Sequence, residues 1–451
     1  MLVRRIAGKP SMLSIDFIDI YKTARRIPLS CAELEKLMSA SASSVTLDPH
    51  SRLSTRGKTI RDSPTMALTR LAAELRAAGR DVLALSAGEP DFGSPLAAAE
   101  AGIAAIRRGD TRYTAVDGLL ALRRAIADKL LRENGVSYDA AEITVSSGSK
   151  ILLLTALMAL LDRDDEVLVP APFWVSYPEM VRYADGATRL VPTTQANGFR
   201  LTPQDLEAAI GPRTKLLILN NPNNPTGAIY TNEHLAALGE VLARHPQVAV
   251  LTDEIYEHLN FDGVNPGNLV AAAPHLRDRT VLVNGFSKGY GLTGWRLGFA
   301  AAPKPIIAAI NALNSQGVSS PSTIAQYAAL AALADNQEFR DRNRKEYEER
   351  RDLVVATVAV TPGLELAAPQ SAFYAYVNCA GLVGRTAPSG QRMETDEDVA
   401  REILETEGLA IVPGTPFGLS PYFRLSFCVD RETLADGLKR LHRFATRVTN
   451  G

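Results

Sequence analysis

The chain has 451 residues, of which 46% are hydrophobic and 22% charged, and its formal net charge at pH 7 is −1. This composition is that of a globular protein long enough for one large and one smaller domain. The near-neutral charge balance gives no field that would attract nucleic acid or an anionic membrane. We therefore expect small molecules, or a second copy of the chain, as partners.

The three cysteines, Cys31, Cys379 and Cys428, lie far apart in the sequence. Without a CxxC pair, the sequence indicates neither a zinc site nor a disulfide framework, so we expect no metal and a reducing, cytoplasmic location. The longest apolar run, 151–161, has 11 residues. Because this is too short to cross a bilayer, it predicts a buried helix.

The first 50 residues differ from the rest of the chain. They have no sustained hydrophobic period and end in a Ser/Ala tract, and they show neither a secretory signal nor an acid-poor transit peptide. We expect residues 1–50 to be an extension outside the fold. The segment is either disordered or wrongly assigned to the protein, with Met38 as an alternative start.

From about Ser51 the hydrophobic pattern becomes regular. Helices are predicted at 66–79, 97–108, 118–133 and 149–161, and a strand at 81–88. Short runs that are apolar on both faces then alternate with helical stretches at 204–210 and 232–244. These runs are 166–170, 215–220, 247–253, 280–286 and 296–302. Such strands predict an α/β fold with a mostly parallel sheet that is covered on both sides.

The C-terminal part has a different character. A long charged helix around 336–358 is followed by short strands and helices without the regular alternation, which is typical of an α+β region. We predict a large domain at 96–330 and a smaller α+β domain at 331–451. Residues 51–95 are expected to pack with the smaller domain.

Polar residues at the predicted strand ends are the candidates for chemistry, because ligands of α/β proteins bind there. In "SSGSK" (146–150), Ser147, Gly148 and Ser149 open an apolar helix. A helix N-terminus offers N–H groups to a phosphate, although a plain serine N-cap would give the same pattern.

Two further strand ends carry unusual residues. "LNNPNNPTG" (219–227) contains two Asn-Pro steps, which either form a specified turn with a cis bond or a plain polar turn. Asp253 follows a buried strand, with Tyr256 close behind. A carboxylate in that position needs a partner, unless it only caps the next helix.

The glycine-rich stretch "FSKGYGLTGWRLGF" (286–299) holds two cations, Lys288 and Arg296. In a dry pocket the pKa of Lys288 would fall, and its neutral amine could form a Schiff base with a carbonyl. Arg296 offers a planar fork to a phosphate. The alternative is that both are surface cations on a flexible loop.

These separate signals are satisfied by one cofactor. Pyridoxal 5′-phosphate has an aldehyde for a lysine, a phosphate for a helix N-terminus and an arginine, and a pyridine nitrogen for a buried aspartate. An aspartate at that nitrogen keeps the ring protonated, so that the ring can accept electrons from a carbanion. The four motifs therefore predict a pyridoxal phosphate enzyme.

From about Ser51 to its end, some 400 residues, the chain resembles the class I, fold-type I aminotransferases, closest to the bacterial and plastid branch of aspartate/aromatic aminotransferases. The segments that carry the resemblance occur in the family's order. They are "SAGEPDF" (86–92), "TRYTAVDGLLALR" (111–123), "SSGSK" (146–150), "PFWVSYPEM" (172–180), "NNPNNPTG" (220–227), "TDEIYEHL" (252–259), "GFSKGYGLTGWRLG" (285–298) and "FRLSF" (423–427).

The resemblance implies a mostly parallel, mixed seven-stranded sheet in the large domain, and a role for each matching residue. Lys288 would hold the cofactor, Asp253 would bind its ring nitrogen, and Tyr256 and Asn224 would bind its phenolic oxygen. Trp174 would stack on the ring face. The phosphate would be bound by Ser147, Gly148, Ser149 and Arg296, and by Tyr113 from the other subunit of a homodimer. Arg424 would bind the substrate α-carboxylate, helped by Asn224 and the backbone at Gly88, and Trp174 would also border the substrate. Lys288, Asp253 and Tyr256 are the expected catalytic residues.

The implied activity is transfer of an amino group between an L-amino acid and a 2-oxo acid such as 2-oxoglutarate, by a ping-pong mechanism. The preferred amino acid stays open between aspartate-like and aromatic or neutral side chains, because no Lys or Arg occurs between Lys304 and Arg340, where some family members place a base for a second carboxylate. Alternatives are another reaction on the same scaffold, such as a C–S lyase or a decarboxylase, and a non-catalytic sensor domain.

Overall fold

The computed structural model describes residues 49–60, 64–334 and 337–450. The chain divides into two compact units, 1–59 and 60–451. In the first unit the described part consists of a 3₁₀ helix, Pro49–Arg52, and helix α1, Thr55–Thr59. The predicted extension, 1–50, lies outside the described residues apart from its last two, so it stays a prediction.

The second unit holds the other helices and all the strands of the described residues. The helices are α2 (Pro64–Ala77), α3 (Leu96–Arg108), α4 (Leu120–Asn134), α5 (Ser149–Leu160), α6 (Tyr177–Tyr183), α7 (Pro203–Ala209), α8 (Asn232–Ala243), α9 (Leu269–Ala272), α10 (Lys304–Gly317), α11 (Thr323–Ala334), α12 (Gln337–Ala359), α13 (Asp396–Glu407) and α14 (Arg431–Asn450). The strands are β1 (Leu83–Ala84), β2 (Ile143–Ser146), β3 (Glu166–Ala171), β4 (Ala187–Pro192), β5 (Thr214–Asn220), β6 (Ala249–Asp253), β7 (Thr280–Gly285), β8 (Gly298–Ala301), β9 (Tyr374–Asn378), β10 (Leu409–Ala410), β11 (Val412–Pro413) and β12 (Tyr422–Ser426).

A seven-stranded sheet forms the centre of this unit, with the strand order β2-β8-β7-β6-β5-β3-β4. Strand β8 is antiparallel to both of its neighbours, and the other pairs are parallel. The sheet is therefore mostly parallel and mixed, which confirms the predicted α/β fold class.

Both faces of the sheet are buried. Successive side chains of the central strands point to opposite faces, so each strand contributes to an apolar cluster on either side. In β5, Leu216 and Ile218 join one apolar cluster together with residues of α5, α6 and α10. Leu217 and Leu219 join another cluster on the opposite face, together with residues of α8. Strands of this kind show no polar–apolar alternation in the sequence, which is why they read as continuous apolar runs.

The C-terminal elements form a smaller α+β region. Strands β11, β12 and β9 make an antiparallel sheet, and β1 pairs with β10. Ala72 of α2 and Val82 share an apolar cluster with Leu404 and Ala410. These contacts join the segment before residue 95 to C-terminal elements, while the predicted domain boundaries themselves stay a prediction.

The topology brings three strand ends to one edge of the large sheet. Strands β5, β6 and β7 are neighbours and parallel, so their carboxyl ends meet there. Asn220 and Asp253 end the first two strands and lie side by side in register. Of the helices in the described residues, none is long and apolar enough to cross a membrane.

Candidate active site

A cavity of about 640 Å³ opens at the carboxyl edge of β5, β6 and β7. Nine of the residues predicted from the sequence line it: Gly88, Ser149, Trp174, Asn224, Asp253, Tyr256, Lys288, Arg296 and Arg424. They come from elements spread along more than 300 residues of sequence, so the fold, and not local sequence, brings them together. A cleft at this edge is where ligands of such sheets bind.

Lys288 lies in the loop after β7, with its amine inside the cavity. Its Nζ donates to the carbonyl oxygen of Gly88 at 2.5 Å and lies 5.7 Å from the ring centroid of Phe373. Burial lowers the pKa of Lys288 to about 8, and the nearby positive charges of Arg296 and Arg424 act in the same direction. The neutral, nucleophilic amine is therefore accessible near physiological pH.

Asp253 closes the deep end of the cavity at the C-terminus of β6. Its Oδ2 accepts a hydrogen bond of 2.7 Å from the hydroxyl of Tyr177, and its side chain is otherwise buried. Burial raises the pKa of Asp253 to about 6, against the hydrogen bonds from Tyr177 and the Ile255 N–H. A carboxylate held in this way is suited to a cationic partner such as a protonated ring nitrogen.

Arg424, in the middle of β12, is a buried cation with a free donor. It donates to Asn224 Oδ1 at 3.1 Å and to the carbonyl of Ser86 at 2.8 Å, and its guanidinium lies 4.3 Å from the ring centroid of Tyr374. Within the described residues its Nε has no hydrogen-bond partner. A buried guanidinium with unused donors, bordering a cavity, is suited to a carboxylate ligand.

The aromatic residues of the site are connected through their hydroxyl groups. Tyr256 and Tyr374 lie with their hydroxyl oxygens 3.1 Å apart, and burial raises the pKa of both. Both phenols are therefore protonated at neutral pH. One hydroxyl donates to the other, and the hydrogen of the second is left to donate elsewhere. Trp174 meets Tyr177 edge to face, with ring centroids 5.4 Å apart.

At the other end of the cavity, the start of α5 lies beside Arg296. Gly148, at the N-cap of α5, has a φ of 99°, and a Cβ at this position would lie 2.9 Å from the Arg296 guanidinium. Arg296 itself has a φ of 52°, a left-handed conformation that is uncommon for a non-glycine residue and marks a specified site. Ser149 donates its hydroxyl to the carbonyl of Asn284 at 2.8 Å.

Three of the predicted residues do not line this cavity: Gly148, which lies beside Arg296 as described above, Ser147 and Tyr113. Ser147 lines a neighbouring cavity of about 670 Å³, which also borders Arg296. Tyr113 is 90% exposed and does not line the cavity of its own chain. Its predicted role needs a second subunit and stays a prediction.

Sequence reasoning missed several residues of the site. Tyr177 lies within the recognised "PFWVSYPEM" stretch, and Tyr374 is the first residue of β9. Both line the cavity, but from the sequence alone an aromatic residue in an apolar stretch is expected in the core. Lys150 directly follows the "SSGS" motif, and its Nζ lies 4.9 Å from the Trp174 ring centroid. Burial, together with the charge of Arg296, lowers the pKa of Lys150. The sequence did contain a signal for Lys150, because it is a second cation directly beside the predicted phosphate motif.

The side chains of this cavity fit pyridoxal 5′-phosphate. The amine with the lowered pKa, Lys288, and the buried acid, Asp253, meet the needs of its aldehyde and ring nitrogen. The glycine at position 148 leaves room beside Arg296 where any larger residue would clash. The site thus has the donors, the charges and the backbone space that define an enzyme of the pyridoxal phosphate class.

Comparison with known proteins agrees with this class. Residues 80–441 match the family model "Aminotransferase class I and II". The chain is 48% identical to the probable aspartate/prephenate aminotransferase of Rhizobium leguminosarum bv. phaseoli, over 85% of this chain and 96% of that protein. It is also 48% identical to the aspartate/prephenate aminotransferase of Cereibacter sphaeroides, over 86% of this chain and 98% of that protein.

Solved structures give the same result. The aspartate aminotransferase of Rhizobium meliloti superimposes with a TM-score of 0.86 at 42% identity, covering 88% of this chain and 99% of that chain. That of Thermus thermophilus, solved with maleate, gives 0.81 at 40% identity, covering 87% and 99%. The chain belongs to the class I and II aminotransferase family. It is a pyridoxal phosphate-dependent enzyme that transfers amino groups between amino acids and oxo acids, which confirms the predicted family, activity and cofactor.

The raised pKa of Asp253 predicts how the stability of the cofactor-free protein depends on pH. Asp253 titrates near 3.8 in the unfolded chain and near 6 in the folded one. The folded state therefore holds this proton more tightly, and the stability that the proton gives is lost as the pH rises through this window. Asp253→Asn does not ionise and keeps an oxygen for Tyr177. Its stability relative to the wild type should rise by up to about 3 kcal/mol between pH 4 and pH 7.

Urea unfolding of both cofactor-free proteins at the two pH values measures this difference. Comparing the variant with the wild type at each pH cancels the titration of the other groups. A difference in the free energy of unfolding that does not change with pH would contradict the assignment of a buried, ionisable Asp253.

Proposed function

We propose that this aminotransferase acts on dicarboxylic amino acids such as aspartate, with a 2-oxo acid such as 2-oxoglutarate as amino acceptor, and that Lys288, Asp253 and Tyr256 are its catalytic residues. One observation carries the proposal. The amine of Lys288, with a lowered pKa, shares a single cavity with a buried acid at one end and a buried guanidinium with unused donors at another.

The residues that would hold the cofactor follow from the chemistry at each end of the cavity. Lys288 takes the aldehyde, Asp253 the ring nitrogen, Tyr256 and Asn224 the phenolic oxygen, and Trp174 the ring face. Ser147, Gly148, Ser149 and Arg296 take the phosphate at the N-terminus of α5, where N–H groups and the helix dipole favour an anion. When bound, pyridoxal phosphate stores the amino group and withdraws electrons from the substrate Cα.

Lys288 then acts as the general acid–base of the reaction. Its pKa of about 8 lies close to the operating pH, which is the condition for efficient proton transfer in both directions. In this structure the amine is held by the carbonyl of Gly88. The lysine therefore has a fixed position from which it can take a proton from the substrate Cα and return it to the carbon two bonds away, on the far side of the transferred nitrogen.

Arg424 would bind the substrate α-carboxylate. Asn224 and the Ser86 carbonyl hold its guanidinium in place, and the ring of Tyr374 lies against it. Because the arginine is only 2% exposed, the bond to a carboxylate would form away from water, where it is strong. Asn224 and the backbone at Gly88 border the same end of the cavity.

Lys150 is our candidate for the second carboxylate of a dicarboxylic substrate. The sequence offered no base between Lys304 and Arg340, but Lys150 supplies a cation within the cavity itself. Two relatives are named aspartate/prephenate aminotransferases, and both of those compounds carry a carboxylate beyond the one next to the reacting carbon. The positive charge of Lys150 favours aspartate-like substrates over neutral amino acids.

The proposed site assignment is tested by reduction with borohydride in the presence of pyridoxal phosphate. Reduction fixes the cofactor to the amine that holds it, and peptide mapping then identifies that lysine. We expect the label on Lys288, and its loss in Lys288→Ala. A label on Lys150 or on any other lysine would contradict the assignment.

Arg424→Lys keeps the positive charge but loses the planar fork. A charge-assisted hydrogen bond contributes about 1.5–3 kcal/mol, so we expect a loss of about 2–4 kcal/mol, or roughly 30- to 1000-fold in kcat/KM. The loss should be similar for every donor and acceptor, since all share the α-carboxylate, and cofactor affinity should hardly change. A purely structural arginine would instead lower the Tm and leave kcat/KM near normal.

Lys150→Met removes the proposed contact to the second carboxylate. We expect kcat/KM for aspartate to fall by about 10- to 100-fold, as loss of one charge-assisted hydrogen bond implies, while a neutral or aromatic donor changes by less than about 3-fold. Lys304→Met, at an exposed surface pair with Asp139, is the matched control. Equal losses for both donor types would contradict the proposal.

We also propose a homodimer in the cytoplasm. Tyr113, 90% exposed here, would then reach the phosphate of the other subunit and complete its site. Cys379 and Cys428 are buried free thiols, which suits a reducing compartment. Sedimentation of the active enzyme tests the dimer, because a fully active monomer would show that no second subunit is needed.

A further inference from the structure

A buried ion pair lies behind the cavity, among residues that the reaction does not use. Lys129 of α4 donates to Glu257 Oε1, and the two side chains are 1% and 8% exposed. Lys129 also donates to Asn134 Oδ1 at 2.8 Å. An ion pair at this depth contributes little to stability compared with apolar residues of the same volume. Stability alone therefore does not explain why this ion pair is present.

Glu257 accepts hydrogen bonds from three side chains that belong to two elements, α4 and β7. Besides Lys129, Asn134 Nδ2 at the end of α4 donates to Oε2 at 2.8 Å. Asn284 Nδ2, near the end of β7, donates to Oε1 at 2.8 Å. Burial by itself raises the pKa of Glu257, but the charges of Lys129 and His258 and the hydrogen bonds from Asn134 and Lys129 hold the pKa below its ordinary value. The carboxylate is thus ionised and joins α4, β7 and the turn after β6.

Asn284 connects this carboxylate to the start of α5. Its side-chain oxygen accepts from the Gly285 N–H at 2.7 Å, and its carbonyl accepts the hydroxyl of Ser149 at 2.8 Å. A Cβ at Gly285 would lie 2.4 Å from Ser149 Oγ, and one at Gly298 would lie 2.4 Å from the Ser149 nitrogen. The first residue of α5 is therefore held closely against β7 and β8.

A second connection runs through the turn that carries Tyr256. Glu257 is the next residue, and its own N–H donates to the carbonyl of Glu254 at 3.1 Å. Leu259 N–H closes the turn on the carbonyl of Tyr256 at 2.9 Å. Tyr256 lines the cavity, whereas Glu257 contacts the elements behind it.

We propose that Glu257 is a positioning residue that fixes Ser149, through Asn284, in the place where the cofactor phosphate binds. The inference rests on the proposed function, since it takes the start of α5 as the phosphate site. Glu257 itself does not line the cavity. Its effect on the cofactor therefore has to pass through Asn284 and Ser149.

The test is Glu257→Gln in the full chain, freed of cofactor and titrated with pyridoxal phosphate. Glutamine keeps the shape but has no charge and only one acceptor oxygen, so it cannot satisfy Lys129, Asn134 and Asn284 together, and the hydrogen bond to Asn284 weakens or is lost. We expect the Kd for pyridoxal phosphate to rise at least about 10-fold. Glu407→Gln is the matched control, because Glu407 is a carboxylate 2% exposed, paired with Arg443 and Arg447, and lines no part of the cavity. Both variants should lower the Tm, but the control should leave the Kd within about 2-fold.

A double-mutant cycle with Ser149→Ala tests whether Glu257 affects cofactor binding through Ser149. If Glu257 acts through Ser149, Glu257→Gln should change the Kd by less than about 2-fold once Ser149 is already alanine. Losses that multiply in the double variant would overturn the inference, and so would a Glu257→Gln protein that binds pyridoxal phosphate like the control.

A further variant keeps the test decisive if Glu257→Gln does not fold. Asn284→Ser leaves the Lys129–Glu257 pair intact and removes the amide that connects Glu257 to β7, together with the acceptor of the Gly285 N–H. It should therefore reproduce both the weaker binding and the cycle. Normal affinity in Asn284→Ser would overturn the inference. Borohydride labelling of Lys288 in the wild type separates this result from failure of the proposed function, because absence of that label contradicts both.

Discussion

The burial of three charged groups around one cavity is the constraint on which the rest of the structure depends. Asp253 and Arg424 are buried and Lys288 is half-buried, and each charge would be unfavourable there on its own. The pKa values of two of these groups show the effect, since burial lowers the pKa of Lys288 to about 8 and raises that of Asp253 to about 6. Ordered strands position all three, because Asp253 ends β6, Lys288 lies three residues after β7, and Arg424 lies within β12.

Close backbone approach is the second requirement, and glycine provides it at the phosphate end. A side chain at Gly148 would meet the Arg296 guanidinium, and side chains at Gly285 or Gly298 would meet Ser149. The same region contains Arg296 with a left-handed φ. The glycines of "GFSKGYGLTGWRLG" thus do more than make the loop flexible, because two of them let β7 and β8 approach the start of α5.

The central strands could be predicted from the sequence because burial on both faces leaves a continuous apolar run. The observed β5, at Thr214–Asn220, begins one residue before the predicted strand, whereas β4, at Ala187–Pro192, was not predicted. This edge strand is partly exposed and contains Arg189, so it lacks that signal. Nor could the sequence show that β8 runs antiparallel to its neighbours, since strand direction depends on the connection and not on the strand's own residues.

The site residues divide in the same way, into those that the local sequence indicates and those that only the fold identifies. Lys288, Asp253 and Asn224 stood out because lysine, aspartate and Asn-Pro steps are unusual at the ends of apolar strands. Tyr177 and Tyr374 did not, because an aromatic residue in an apolar stretch is indistinguishable from core until its hydroxyl partner is known. Their partners, Asp253 and Tyr256, lie 76 and 118 residues away. Such long-range pairs follow from the fold alone.

The Lys129–Glu257 pair poses the remaining physical question. If stability were the only demand, two apolar side chains in this space would serve as well or better, because transferring both charges out of water offsets most of their attraction. Apolar residues, however, could not accept the amide hydrogens of Asn134 and Asn284, which would then be buried without partners, at about 1–3 kcal/mol each. Directional hydrogen bonds fix the position of Asn284 more narrowly than packing can. The ionised carboxylate is the one group in this space that satisfies two amides and a lysine at once, and it therefore couples the elements on which the cavity is built.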